Sequence, residues 1–137
     1  MVQLGVAAGA STNSSNTINT IDYYVGANRK VLPAKYKEWI EENKGQEILN
    51  NVVDPDGQNA VKQLYRGNSF IGDGGTADAI RFEKATGITL GKTPQDHMQK
   101  AQDMVRYLQR ILEKHGLTDT EHGVLQELLF DLEDALK

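Results

Sequence analysis

The most regular pattern of apolar positions lies in the second half of the chain. Met98, Ala101, Met104, Val105, Leu108, Ile111 and Leu112 recur at three- and four-residue intervals, which puts them on one face of a helix. Thr93-Pro94-Gln95-Asp96 precedes them with a cap, a proline suited to a first helical turn and an acidic residue, and Gly116 follows as a stop. This spacing predicts a helix from Pro94 to His115. A second series, Val124, Leu125, Leu128, Leu129, Leu132 and Leu136, follows Thr118-Asp119-Thr120-Glu121, a cap with glutamate three positions on. A short turn joins the two, so they are expected to pack as an antiparallel pair.

Earlier positions give shorter helical signals. Pro33 suits a helix start, and Tyr36, Trp39 and Ile40 then share a face before Gly45. Ile48, Leu49, Val52 and Val53 form a further apolar patch. Asp54-Pro55 reads as an N-cap and first-turn proline for a helix to Arg66, with Ala60, Val61, Leu64 and Tyr65 inward. A glycine-rich loop from Gly67 to Gly75 follows. Thr76 is then expected to cap a helix from Ala77 to about Ala85, closed by Gly87. Ile88–Gly91 is read as a connector with at most one strand. Residues 1–20 are rich in Ser, Thr, Asn, Ala and Gly without a period, and 21–33 is open between a short hairpin and an extended arm. The expected fold is therefore mostly α: a flexible leader over 1–30, then a compact helical domain over 31–137. That domain has a glycine-rich loop, an antiparallel C-terminal helix pair and at most a short hairpin near the N-terminus.

Composition narrows the chemistry. The chain has 137 residues, 39% hydrophobic and 25% charged, in the range of one globular domain. It has no cysteine, which excludes thiol catalysis, a CxxC redox site and cysteine-ligated zinc. No apolar run reaches the roughly 20 residues of a membrane span. Net charge is −4, which by itself argues against a nucleic-acid partner, yet it is unevenly spread. Residues 61–116 carry 9 basic and 6 acidic side chains, and residues 117–137 carry 1 and 6. A basic middle can meet phosphate while the acidic tail lies elsewhere, although both also fit solvated helix faces.

The middle segment also holds the candidate chemistry. Gly72-Asp73-Gly74-Gly75-Thr76 leads into a helix, so its backbone can approach an anion while helix amides point at it. The same residues also suit a plain turn and cap. No Gly-Lys-Ser/Thr follows and no strand–helix–strand frame surrounds the loop, so it is neither a Walker motif nor a dinucleotide fingerprint. Asp78 and Arg81 stand at i,i+3 and can form either a surface pair or part of a site, with Glu83 close by. His97 falls on the inward side of the long helix near its start, with Lys100 one turn on. Partial burial and the helix dipole both favour a neutral imidazole able to act as a base. His115 suits the C-terminal end of that helix, and His122 reads as a surface residue. Three dispersed histidines give no metal-ligand spacing.

The run Leu64-Tyr65-Arg66, then Gly72 to Arg81, Glu83, Thr86-Gly87, Gly91-Lys92 and His97-Met98-Gln99-Lys100 resembles the C-terminal toxin domains of CdiA, filamentous-haemagglutinin-like proteins of contact-dependent growth inhibition. Pro33 to Ile40 fits the same likeness, which covers about residues 31–137. More loosely, Asp96-His97-Met98-Gln99 is similar to the segment holding the catalytic histidine in helical tRNase toxins of this group. The resemblance implies release as part of a large surface exoprotein and delivery into the cytoplasm of a neighbouring bacterium. It implies cleavage of RNA, above all tRNA, and a cognate immunity protein, with room for a host factor such as an elongation factor. An acidic inhibitor over the basic segment is the natural complement.

On this reading Gly74, Gly75 and Lys92 bind phosphate, with Arg81 and Lys100 as clamps. His97 takes the 2′-hydroxyl proton, Asp78 orients His97 or protonates the leaving oxygen, and Thr76 donates to a non-bridging oxygen. No metal or cofactor is required, because the attacking group belongs to the substrate. The alternatives are a metal-dependent DNase using Asp73, Asp78, Glu83 and His97, and a non-enzymatic helical module that binds a protein.

Overall fold

The computed structural model describes residues 23–25, 30–67 and 69–137. Most of the leader expected over 1–30 lies outside the described residues. Of the two readings open for 21–33, the hairpin pairing is present: Tyr23–Val25 (β1) runs antiparallel to Lys30–Leu32 (β2), with Tyr24 opposite Val31. A 3₁₀ helix over Ala34–Trp39 follows, opened by Pro33, whose carbonyl accepts from the Tyr36 amide. Five α-helices complete the described chain: α1 Gly45–Leu49, α2 Pro55–Leu64, α3 Thr76–Thr86, α4 Asp96–Leu112 and α5 Asp119–Leu136. The described residues are mostly helical.

The caps explain most boundaries. The Asp54 carboxylate accepts from the Gly57 amide at 3.0 Å and starts α2. That helix ends at Leu64, short of Arg66, because Tyr65 leaves helical backbone at φ −124°, ψ 74°. α3 is capped by Gly75, and Thr76 is its first residue rather than its cap. The Thr76 hydroxyl turns back to donate to the Leu64 carbonyl. α4 begins two residues after Pro94. The Asp96 carboxylate gathers the Lys92 and Thr93 amides and the Thr93 hydroxyl, so the 92–95 segment forms a turn in front of the helix. The expected end at His115 also recedes, to Leu112. α5 opens on a full capping box of Thr118 and Glu121. Ile88–Gly91 forms no strand.

Glu121 does more than cap. Its second carboxylate oxygen accepts the Val53 and Asp54 amides, both at 2.6 Å, and ties α5 to the connection before α2. The Thr118, Asp54 and Val53 amides together hold its carboxyl below the usual range. Val53 itself is 72% exposed, whereas Val52 is buried, so the apolar patch read there is only half inward.

Among the described residues two apolar clusters form the interior. The larger joins α2, α3, α4 and α5 through Val61, Leu64, Ile80, Met104, Leu108, Ile111, Leu125 and Leu132, among others. The middle of α4, at Gln102 to Arg106, meets the end of α5 at Glu133 to Lys137, as an antiparallel pair requires. The smaller cluster joins Leu32, Ile71, Phe82 and Leu90, with Tyr36, Trp39 and Ile40 packed against it. Phe82 is fully buried and takes Tyr36 and Trp39 edge-on, at centroid distances of 5.5 and 5.3 Å. Such burial contributes about 1.5–3 kcal/mol and fastens the 3₁₀ segment to α3.

From there residues 39–44 run along the glycine-rich loop as a strap. The Glu41 amide donates to the Phe70 carbonyl and the Lys44 amide to the Asp73 carbonyl, at 3.0 and 2.9 Å. The Asn43 side-chain amide reaches the Arg66 and Ser69 carbonyls at 2.7 and 2.8 Å. Gly74 adopts φ 88°, and a Cβ there would lie 2.7 Å from the Asn43 amide, so glycine is required beneath the strap.

Candidate functional site

Between the strapped loop and the start of α4 lies a cleft of about 230 Å³. One side is the loop, with Arg66, Phe70, Gly74 and Gly75, leading to Thr76 at the start of α3. The other is the Gly91-Lys92 connector and the first turns of α4, with Asp96, His97 and Lys100. Of the eight site residues read from the sequence, the fold therefore brings Gly74, Gly75, Thr76, Lys92, His97 and Lys100 to one place.

His97 is partly buried, and its Nδ1 lies 3.2 Å from Oε1 of Glu83 on α3. The other oxygen of Glu83 accepts the Leu90 amide at 2.7 Å, which fixes the carboxylate against the ring. An ionised carboxylate only accepts, so a neutral ring in this pair carries its proton on Nδ1 and its lone pair on Nε2. Lys100 points its ammonium to the Gln63 carbonyl. Burial, reinforced by the charge of Arg66, lowers its pKa to about 8. Asp96 is the acid of the cleft, held below the usual carboxylate range by the Thr93 hydroxyl and amide and the Lys92 amide. The balance of side chains around the cleft is cationic: Arg66, Lys92 and Lys100. The amide end of α3 adds partial positive charge at Thr76.

Asp78 and Arg81 are not part of this arrangement. Asp78 accepts from the Asp73 amide and from Arg81, each at 2.9 Å, so it does not orient His97; Glu83 holds that position. Asp78 and Glu83 are five positions apart, roughly 140° around a helix, which places them on different faces of α3. Arg81 turns toward α5, where it meets Asp131 at 2.8 Å and Asp134 at 2.9 Å. These carboxylates hold its charge firmly and take it out of the role of phosphate clamp. The Thr76 hydroxyl proton is also committed, to the Leu64 carbonyl, so Thr76 lines the cleft without a free donor on its side chain.

Asp73 stays with the Asp78 side. It accepts from the Tyr65 hydroxyl and the Gly75 amide, and burial raises its pKa against the pull of that amide. The set Asp73, Asp78, Glu83 and His97 is thus divided, Asp73 with Asp78 on one side of α3 and Glu83 with His97 on another. Among the described residues no group of three or more histidine and carboxylate side chains is placed to hold a metal ion.

The partnership of Glu83 with His97, and the presence of Arg66 and Phe70 at the cleft, are additions to the sequence reading. Glu83 lies 14 positions from His97 on a different helix, and only packing brings them together. No protein-family model, curated protein or solved structure matches this chain.

Proposed function

We propose that this domain is an RNA-cleaving toxin that uses the 2′-hydroxyl of its substrate as nucleophile. The observation that carries the reading is the His97–Glu83 pair in a cleft bordered by Arg66, Lys92 and Lys100. Nε2 of His97 takes the 2′-hydroxyl proton as the 2′-oxygen attacks phosphorus. The bond from phosphorus to the 5′-oxygen breaks, and the Lys100 ammonium protonates that oxygen as it leaves. The products are a 2′,3′-cyclic phosphate and a 5′-hydroxyl. Arg66, Lys92 and the amide end of α3 stabilise charge on the non-bridging oxygens. Acid–base assistance of this kind contributes ~10²–10⁴ in rate.

tRNA as substrate, delivery from a surface exoprotein into a target cytoplasm, and an acidic immunity protein over the cleft are the companions of this reading, supported by the CdiA-like sequence pattern. The test is induction in bacteria without an inhibitor, followed by denaturing gels of total RNA. Discrete tRNA fragments ending in 2′,3′-cyclic phosphate are expected, in EDTA as well when purified protein is used. His97→Ala should abolish them, and Glu83→Gln should slow their appearance by ~10². Intact RNA and healthy cells on expression of folded domain would overturn the proposal.

A further inference from the structure

We infer that the cleft receives an unstacked nucleobase on Phe70, so that the substrate is single-stranded RNA; this rests on the ribonuclease reading above. Three large hydrophobic side chains among the described residues are exposed: Val53, Phe70 and Phe130. Of these Phe70 alone lines the cleft that holds His97, and it belongs to neither apolar cluster. It contrasts with Phe82, which is fully buried beneath Tyr36 and Trp39. A phenyl ring left 36% exposed beside a catalytic pair offers a stacking surface.

The backbone that carries the ring is also held in place. The Phe70 carbonyl accepts the Glu41 amide, the preceding Ser69 is fixed by Asn43, and the following Ile71 is buried in the smaller cluster. A platform positioned before binding loses little freedom when a base stacks on it. Leu64, Ile71 and Leu90 add buried apolar side chains to the lining, and Arg66, Lys92 and Lys100 add cations. This combination, an apolar slot with cations around it, matches a base flanked by phosphates. A duplex keeps its bases stacked and hides their faces, so only a loop or an open strand can present one.

The test uses the intact chain and two kinds of RNA. The first is a cleavable oligonucleotide, offered single-stranded and annealed to its complement. The second is a set of 2′-fluoro hexamers, which cannot be cut, each with a central 2-aminopurine followed by one of the four bases. The wild type should cut the single strand at least tenfold faster than the duplex, and should quench 2-aminopurine fluorescence. Phe70→Ala should lower kcat/KM on the single strand tenfold or more and abolish quenching, and Phe70→Trp should restore both. If Phe70→Ala does not fold, an abasic nucleotide beside the scissile phosphate makes the same comparison with wild-type protein, and undiminished cleavage there overturns the inference. Cleavage that ignores both strandedness and Phe70 overturns the inference and leaves the ribonuclease reading intact. Quenching that depends on Phe70 without any cleavage does the reverse: it overturns the ribonuclease reading and retains the base platform. Neither quenching nor cleavage overturns both.

Discussion

Lys100 carries an ammonium whose stability is set by its surroundings. Burial and the nearby Arg66 charge lower its pKa to about 8, so the protonated form that the proposed mechanism uses at the leaving oxygen is lost in mildly basic solution. Cleavage should therefore fall as pH rises through about 8, in a profile of kcat/KM against pH. Lys100→Arg, which stays charged, should remove that limb while lowering the rate. An unchanged upper limb in the arginine variant would assign it to another group. What was legible in the sequence is position rather than role. His97 and Lys100, one turn apart on one helix, line the cleft, and Gly74 and Gly75 line it too, but with their amides given to the Ile71 carbonyl and the Asp73 carboxylate. Asp78 and Arg81 show the limit of the same logic. Their spacing correctly makes them partners, but it does not say which side of α3 faces the cleft.

At the scale of elements, α3 is the organising piece, because it packs in two directions. Ile80 enters the larger cluster and Phe82 the smaller, Glu83 meets α4, and Arg81 meets α5. Arg81→Ala should therefore act on stability, losing about 1–3 kcal/mol in urea unfolding, since it strands carboxylates that now share one guanidinium. Cleavage by the fraction that remains folded should be near wild type. A loss of activity at full stability would restore Arg81 to the substrate. Helix existence was legible wherever apolar period and caps agreed, as in α4 and α5. Helix ends were less so, because side chains at the ends found other partners. Asp96 turned to Lys92 and Thr93, and the Thr76 hydroxyl turned to Leu64. The pairing of α3 with α4 that creates the His97–Glu83 contact has no signature within either helix.

Across the whole molecule the uneven charge has a simple outcome. None of the residues lining the cleft comes from the acid-rich α5, whose Asp131 and Asp134 are engaged by Arg81 instead. Arg66, Lys92 and Lys100 are thus left to meet phosphate. With three phosphates neutralised, log K for a single strand should fall with log salt at a slope of about −2. Fluorescence titrations of the 2′-fluoro hexamers between low and moderate salt measure it, and a slope near zero would remove the phosphates from recognition. The strap of residues 39–44 has a consequence for how the protein loses function. It orders the glycine loop mainly through backbone hydrogen bonds, whereas α2 to α5 share the larger apolar cluster. Two cooperative units of unequal strength are expected from that division. In a urea series, RNA cleavage should vanish at a lower concentration than helical ellipticity, and the amides of Glu41, Lys44 and Gly72 should exchange together before those of mid-α4. Coincident transitions would mean that strap and bundle open as one. If they separate, the protein has a window in which it is still a folded helical bundle and the proposed cleavage is already lost.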